Sequence, residues 1–270
     1  MAMTPAGLAE PSILKLSEGR APWIFKMPRQ PRCLPGPICG VLLDACNVLY
    51  DDTAWRRWLL RLLVRLGLRT CYGPFFRVLD RDYLADVHRG GRDFYEALGA
   101  FLLSAGLTPG QVEEVRAACV AHRRTTESNL RPLTGVRETL GRLDAAGVAI
   151  AVFANSEHPA ATLRERLEPC LGGVRLGALL SSCDIGRILP EPAAYRRAVE
   201  AMGLDAAQVA FVGHDSAQLA GAASAGMATV AFNSDPDAQA DVHVDRLDRL
   251  LDLIDCRVPH IEDRDLLKHR

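Results

Sequence analysis

Five polar side chains of this chain have types and positions that suggest chemistry. Asp44 ends the apolar run "ICGVLL", and Cys46 stands two residues after it. Asn155 lies in "VFANS", while His214 and Asp215 lie in "FVGHDS". Each group follows a short apolar run that has the length of a buried strand. A carboxylate or thiol placed this way can act as a nucleophile, and an imidazole beside it can bind a metal ion or move a proton.

The elements that must position these residues are buried strands separated by helices. The apolar runs share the length and composition of strands covered on both faces, and they are "ICGVLL", "VAIAVF" at 148–153, "ALL" near 180, "VAFV" at 209–212 and "TVAF" at 229–232. The segments between them have helical periodicity, at 135–146, 159–171, 192–202, 218–225 and 246–254. The alternation predicts an α/β fold with a doubly wound parallel sheet.

The alternation stops between residues 52 and 130, where three helical patterns follow one another. We expect an all-helical cap inserted after the first strand, above the carboxyl edge of the sheet where open parallel sheets bind ligands. A packing mass or a dimer surface is the alternative for this insertion. The predicted α/β core then comprises residues 38–51 and 131–256.

The two ends of the chain have a different composition. Seven of the 16 prolines precede Ile38. This composition predicts that residues 1–37 form a flexible extension without a long helix or a central strand. A protein partner could order this extension. We expect residues 257–270 to form a partly ordered C-terminal tail.

The composition of the chain limits which binding partners and which cellular compartment are expected. A formal charge of -1 gives no field that favours nucleic acid or an anionic membrane, so a small molecule under the cap is the expected partner. Eight cysteines without a Cys-x-x-Cys pair do not predict a disulfide framework or a zinc ribbon, which favours a reducing cytoplasm. No apolar run reaches the roughly 18 residues of a membrane span.

Four segments in this order, "LLDACNVLYDD", "VFANS", "ILPEPAAYRRAVEAMGL" and "FVGHDSAQLAGAASAGMATVAF", resemble the motifs of haloacid dehalogenase-like hydrolases with a helical cap of the first type. The resemblance spans Ile38 to Ile254 and implies a Rossmann-like core. It also implies that Asp44 is the nucleophile, and that the phosphatases of this superfamily use Mg²⁺ to shield the approaching charges.

Three catalytic positions of those phosphatases are occupied by other residues here. Cys46 stands where a second aspartate protonates the leaving group, and a thiol is a poor proton donor for that step. Ala154 replaces a hydroxyl residue, so that Asn155 becomes a candidate donor, and Leu189 replaces a lysine. Losing an acid costs roughly 10² to 10⁴ in rate, so efficient hydrolysis of phosphomonoesters is not expected.

The fourth motif changes the expected metal site. His214 stands at the position of the first acid, Gln218 at that of the second, and Asp215 is displaced by one residue. Asp44 and Asp215 remain as two carboxylates that could bind Mg²⁺. Two protein carboxylates are a small ligand set for this ion. An imidazole in this place favours a softer ion or none.

Three other interpretations use the same residues. In the dehalogenase branch the aspartate displaces halide from carbon without Mg²⁺ or a proton donor, and Asn155 resembles an asparagine of that branch. A cap lysine that forms a Schiff base is excluded, because residues 52–130 contain no lysine. Cys46 and His214 could instead form a thiolate nucleophile or, with Asp44 and Asp215, bind zinc.

The sequence thus predicts a hydrolase-like protein in which Asp44 acts on a good leaving group, phosphorylated or halogenated, with reduced or altered machinery. The alternative is a catalytically silent fold that binds a small molecule or a protein.

Overall fold

A six-stranded parallel sheet forms the centre of the chain in the computed structural model, which describes residues 34–127 and 130–255. The strand order is β3-β2-β1-β4-β5-β6. The strands are β1 Gly40–Asp44, β2 Ala149–Ala154, β3 Ala178–Ser181, β4 Val209–Gly213, β5 Ala228–Phe232 and β6 Val242–Val244. The predicted doubly wound parallel sheet is confirmed. The short edge strand β6 was not predicted, because three residues carry too little pattern.

Helices cover both faces of this sheet. They are α6 Val136–Ala145, α7 Ala160–Leu171, α8 Ser182–Ile185, α9 Pro192–Met202, α10 Ser216–Ser224 and α11 Arg249–Asp255, with a short 3₁₀ turn at Ala206–Gln208. Side chains alternate across β1, so that Val41 and Leu43 pack in the core beside α6, α7 and α11, while Leu42 packs in the core beside α9 and α10. The last helix starts three residues later than its pattern predicted.

The cap consists of the helices between β1 and α6. They are α1 Thr53–Arg65, α2 Tyr72–Val78, α3 Leu84–His88, α4 Phe94–Ser104 and α5 Pro109–Glu127, with a π-helical turn at Leu79–Tyr83 between α2 and α3. These helices bury their own apolar cluster, which includes Leu59, Leu79 and Leu98. Because this cluster is separate from the two cores beside the sheet, the cap packs as a unit of its own.

The sheet topology places the candidate residues. The chain leaves β1 towards β2 and β3 on one side, and β4 pairs with β1 on the other, with Leu43 opposite Val212. Ligand sites of open α/β sheets lie at such a switch point, at the carboxyl ends of the strands. Asp44 ends β1, and His214 follows β4 directly. The two residues therefore meet at this edge, as the sequence predicted.

Two predicted segments fall outside the described residues in whole or large part: the N-terminal extension, of which the structure describes only residues 34–37, and the C-terminal tail. Within the described residues, no helix combines the length and the apolar character that crossing a bilayer requires.

Candidate functional site

Asp44 and His214 form the centre of the candidate site. The Nδ1 atom of His214 lies 3.2 Å from Oδ2 of Asp44, and the two side chains are 23% and 5% exposed. Neither atom has a well-aligned hydrogen-bond partner, so the contact is an ion-pair distance without a linear hydrogen bond. The Oδ2 atom of Asp44 is buried against the imidazole.

The ring of His214 is oriented by Asn47. The backbone N–H of Asp52 donates to Oδ1 of Asn47 at 3.1 Å. This bond turns the amide so that Nδ2 of Asn47 donates to Nε2 of His214, at 3.2 Å. Nδ1 is therefore the nitrogen that carries a hydrogen towards Asp44.

Neighbouring charges act on the same ring. Burial by itself lowers the pKa of His214, but the carboxylates of Asp44, Asp215 and Asp235 outweigh it and raise the pKa above its ordinary value. A proton added on Nε2 would face the hydrogens of the Asn47 amide, which opposes this shift. A hydrogen on Nδ1, facing Asp44, is common to both protonation states.

Cys46 is a neutral thiol in this environment. Burial, followed by the charges of Asp52 and Asp44, raises the pKa of Cys46 well above its ordinary value. Its Sγ atom lies 3.2 Å from the hydroxyl of Tyr50, whose pKa is also raised by burial. A thiol with a raised pKa is a weaker nucleophile and a weaker acid than an exposed cysteine.

Asn155 has an amide that is occupied by the backbone. Its Nδ2 donates to the carbonyl of Leu189 at 2.9 Å, and its Oδ1 accepts from the N–H of Leu189 at 2.8 Å. The catalytic role predicted for this residue remains a prediction, and the structure gives it a positioning role. Leu189, at the position of the lysine in related phosphatases, is 3% exposed.

Asp215 begins α10 as its N-cap. Its Oδ1 accepts from the N–H of Gln218 at 2.8 Å, which is the usual role of aspartate at this position. Among the described residues, no group of three or more His, Cys, Asp or Glu side chains is arranged to hold a metal ion. The zinc alternative lacks a ligand set of that size in this part of the chain, and Mg²⁺ on Asp44 and Asp215 stays a prediction.

A cavity of about 810 Å³ lies between the cap and the loops that follow β1 and β2. Ala45, Cys46, Ala154 and Asn155 belong to its wall, whereas Asp44 and His214 do not. The cap contributes side chains such as Trp55, Leu84, Phe94 and Arg123 from α1, α3, α4 and α5. The helical insertion therefore covers a ligand-sized space beside the candidate nucleophile.

Ion pairs join the cap to the core at two places. Arg123 of α5 contacts Glu157, which follows β2, and also pairs with Glu127 at 2.7 Å. Arg166 of α7 contacts the same Glu127 at 2.9 Å. At the second place, Arg89, which follows α3, pairs with Glu191 at 2.7 Å.

Several of these residues were missed from the sequence. The helical pattern of α5 contains Arg123 and Glu127 but does not show which carboxylates they meet. Asn47 did carry a signal: it occupies a glycine position of the motif, and its φ of 57° lies in the left-handed region that asparagine tolerates. Tyr50 carried none, because its contact with Cys46 depends on the turn between β1 and α1.

A parallel sheet with an aspartate at the end of β1, a helical cap inserted directly after it and a ligand-sized cavity between them defines a capped α/β hydrolase. The sequence from residue 39 to 226, more than half of the chain, matches the family of haloacid dehalogenase-like hydrolases. The chain belongs to this family.

A curated relative lies within the dehalogenases. The chain is 31% identical over 100 residues to (S)-2-haloacid dehalogenase 4A of Burkholderia cepacia. The match covers 36% of this chain and 41% of the relative. It therefore spans about two fifths of the relative's length.

Solved structures share the fold at low sequence identity. One is the L-2-haloacid dehalogenase of Xanthobacter autotrophicus with chloropropionic acid covalently bound, at 18% identity and a TM-score of 0.56 over 81% of this chain and 98% of that one. Another is described as a predicted phosphoglycolate phosphatase of Haemophilus somnus 129PT, at 18% identity and a TM-score of 0.59 over 79% and 96%. Proteins named for either kind of chemistry share this fold, so the fold does not select between them.

Proposed function

We propose that the chain is an aspartate-nucleophile hydrolase of the dehalogenase type, in which Asp44 displaces a leaving group that needs no proton. The contact between Asp44 and His214 carries this proposal. The position next to the nucleophile holds an imidazole whose Nδ1 atom lies 3.2 Å from the carboxylate oxygen, where a phosphatase would hold a further acid for its metal ion.

The proposed reaction has two steps. An oxygen of Asp44 attacks the carbon that carries the halogen, the carbon–halogen bond breaks, and halide leaves with the electron pair. Water then hydrolyses the resulting ester, which returns the carboxylate of Asp44 and releases an alcohol and a proton. The covalent complex named for the Xanthobacter structure supports the first step for this fold.

The environment of Cys46 favours halide over phosphate ester as the leaving group. An alkoxide leaving group needs a proton, and the Cys46 thiol with its raised pKa does not supply one well. Halide leaves without protonation, so a weakly acidic thiol at position 46 does not slow that step.

The donor set near Asp44 does not fit a phosphatase magnesium ion. Mg²⁺ requires several oxygen ligands in octahedral geometry. Asp44 faces an imidazole, and Asp215 accepts the N–H of Gln218 as a helix cap. We therefore propose that this site acts without Mg²⁺.

The test is halide release from 2-bromopropionate and from its uncharged amide, 2-bromopropionamide, measured for the wild type, Asp44→Asn and the matched variant Asp237→Asn. Asp237 is exposed and outside the site. We expect release that Asp44→Asn abolishes and Asp237→Asn preserves. Mass spectrometry of a quenched reaction with 2-bromopropionate should find a 1-carboxyethyl group joined as an ester to Asp44 in the peptide that contains it.

Acetyl phosphate and para-nitrophenyl phosphate, each with and without Mg²⁺, complete the panel. Fast release of phosphate that requires both Mg²⁺ and Asp44 would refute the dehalogenase proposal. Equal halide release from the wild type and Asp44→Asn would refute the proposal that Asp44 is the nucleophile.

A catalytically silent binding protein is the second candidate. One observation favours it: neither Asp44 nor His214 belongs to the wall of the cavity, although Ala45 and Cys46 do. Absence of Asp44-dependent turnover from every compound of the panel, together with ligand binding in the cavity, would support this candidate.

A further inference from the structure

The charges in the cavity wall cancel one another. Four arginines and four carboxylates line the cavity, and they are Arg56, Arg123, Arg131, Arg166, Asp51, Asp52, Glu127 and Glu157. The two lining histidines, His88 and His158, both have a pKa lowered by burial, which favours their neutral form. At neutral pH the wall therefore has no net charge with which to attract an anion or a cation.

Most of these charges are also paired within the chain. Arg56 pairs with Asp52 and Asp80, in each case at 2.8 Å. Arg123 and Arg166 share Glu127, as described above. Arg131 is exposed and has no ion-pair partner in the part of the chain that the structure describes. A charged ligand would have to compete for three arginines that already have carboxylate partners.

Several uncharged polar groups of the wall are engaged as well. Both ends of the Asn155 amide bond the backbone of Leu189. Cys46 and Tyr50 contact each other. The hydroxyl of Ser156 accepts the N–H of His158 at 3.0 Å. A polar ligand would find few donors or acceptors without a partner, and its own polar groups would lose water without replacement.

The remaining wall is apolar, and it is formed by residues of both domains. Trp55 and Phe94 of the cap face the same cavity as Leu163 and Leu167 of the core. A volume of about 810 Å³ lies within the range of sites for drug-sized ligands. A three-carbon acid would fill only a small part of this space.

We infer that the cavity binds an uncharged, largely apolar molecule, considerably larger than a short halogenated acid. This inference deepens the proposed function by naming the substrate class of the same site, and a bound molecule of this kind also suits the binding-protein alternative. It is tested by binding alone, so its outcome is separate from that of the turnover measurements.

Two dyes with one skeleton form the test. N-Phenyl-1-naphthylamine is uncharged, and 8-anilino-1-naphthalenesulfonate is the same skeleton with a sulfonate; both become fluorescent in apolar sites. Titrated into the full chain at neutral pH, the uncharged dye should bind with one site per chain, and the sulfonate at least about tenfold more weakly, because its charge loses water while three of the four lining arginines already have carboxylate partners.

Two substitutions of alanine by tryptophan locate the binding site of the dye. Ala54 is exposed on α1 and lines the cavity, so Ala54→Trp fills space there without removing a packed side chain. Ala117 is exposed on α5 and does not line it, so Ala117→Trp is the matched control. We expect Ala54→Trp to weaken binding of the uncharged dye about tenfold or more and Ala117→Trp to leave it within about twofold.

A second measurement does not depend on how Ala54→Trp folds. Trp55 lines the cavity, so energy transfer from tryptophan to the bound uncharged dye should fall in Trp55→Phe. The inference is overturned if neither dye binds, if the sulfonate binds as tightly as the uncharged dye, or if Ala54→Trp and Ala117→Trp lose binding equally. Unchanged energy transfer in Trp55→Phe would overturn it too.

Discussion

The side chain of Asn155 replaces a backbone partner for Leu189, donating to its carbonyl at 2.9 Å and accepting from its N–H at 2.8 Å. This pair of bonds ties the loop after β2 to the loop before α9. Because Asn155 also belongs to the cavity wall, these bonds hold a residue that lines the candidate site.

Replacement of Asn155 by alanine should therefore reduce stability. Two backbone groups of Leu189 would lose their partners, and we expect a loss of about 2 kcal/mol in the free energy of unfolding. Urea unfolding followed by circular dichroism measures it. Gln239→Ala, which removes one exposed bond to the carbonyl of Asp237, should cost less than about 1 kcal/mol. Equal losses in the two variants would show that the two bonds of Asn155 stabilise the fold no more than one exposed bond does.

The contact between Arg123 and Glu157 should be the strongest electrostatic link between cap and core. Their side chains are 16% and 21% exposed, so removing one partner leaves the other charge poorly solvated. We expect Glu157→Gln to lower the free energy of unfolding by about 2 to 4 kcal/mol at neutral pH.

The exposed pair of Arg197 and Glu200 provides the matched control. These side chains are 63% and 61% exposed, and Glu200→Gln should change stability by less than about 0.5 kcal/mol. If the two Glu→Gln variants differ little in urea unfolding, the ion pairs beside the cavity do not hold the cap.

Acid should remove the stabilising effect of Glu157. Burial alone would raise the pKa of this carboxyl, but the guanidinium of Arg123 outweighs burial and lowers the pKa to about 2. Because the folded pKa lies below the unfolded one, the stabilisation is complete above the unfolded pKa of about 4.3 and is lost as the pH falls towards 2.

The expected size follows from the shift of about two units, which corresponds to about 3 kcal/mol at most. Urea unfolding of wild type and Glu157→Gln between neutral pH and the lowest pH at which the protein stays folded should show their difference shrinking. A difference that stays constant with pH would contradict the lowered pKa.

Alkylation should distinguish Cys46 from the exposed cysteines. Burial and nearby carboxylates raise the pKa of its thiol, and only the thiolate reacts. With iodoacetamide at mildly alkaline pH, we expect Cys46 to react at least about tenfold more slowly than the exposed Cys71 in the same sample. Peptide mass spectrometry at timed intervals measures both. Faster labelling of Cys46 would instead support the thiolate site considered from the sequence.

The arrangement of Asp44 and His214 illustrates what the sequence predicted well. The apolar runs fixed which strands are buried, and parallel strands bring the residues at their carboxyl ends to one edge. With β1 and β4 adjacent, the approach of these two side chains followed from the order of the motifs. The bounds of α11 and the existence of β6 were less accessible, because short or weakly periodic segments carry little pattern.

The roles of Cys46, Asn155 and Asp215 were harder to predict, because each depends on a local contact that the motif pattern does not show. A cysteine two residues after Asp44 can be a thiolate or an inert thiol, and burial beside Tyr50 decides its pKa. An aspartate after β4 can bind a metal ion or cap a helix, and the direction of α10 decides which N–H it meets.

The sequence by itself thus determined the family, the parallel sheet, the inserted helices and the lone carboxylate at the end of β1. Periodicity and motif order encode these features locally or through simple topology. Only the tertiary structure decided the ion pairs between cap and core and the neutral wall of the cavity. Arg123 and Glu157 are separated by 34 residues, and no local pattern tells an arginine which distant carboxylate will neutralise it.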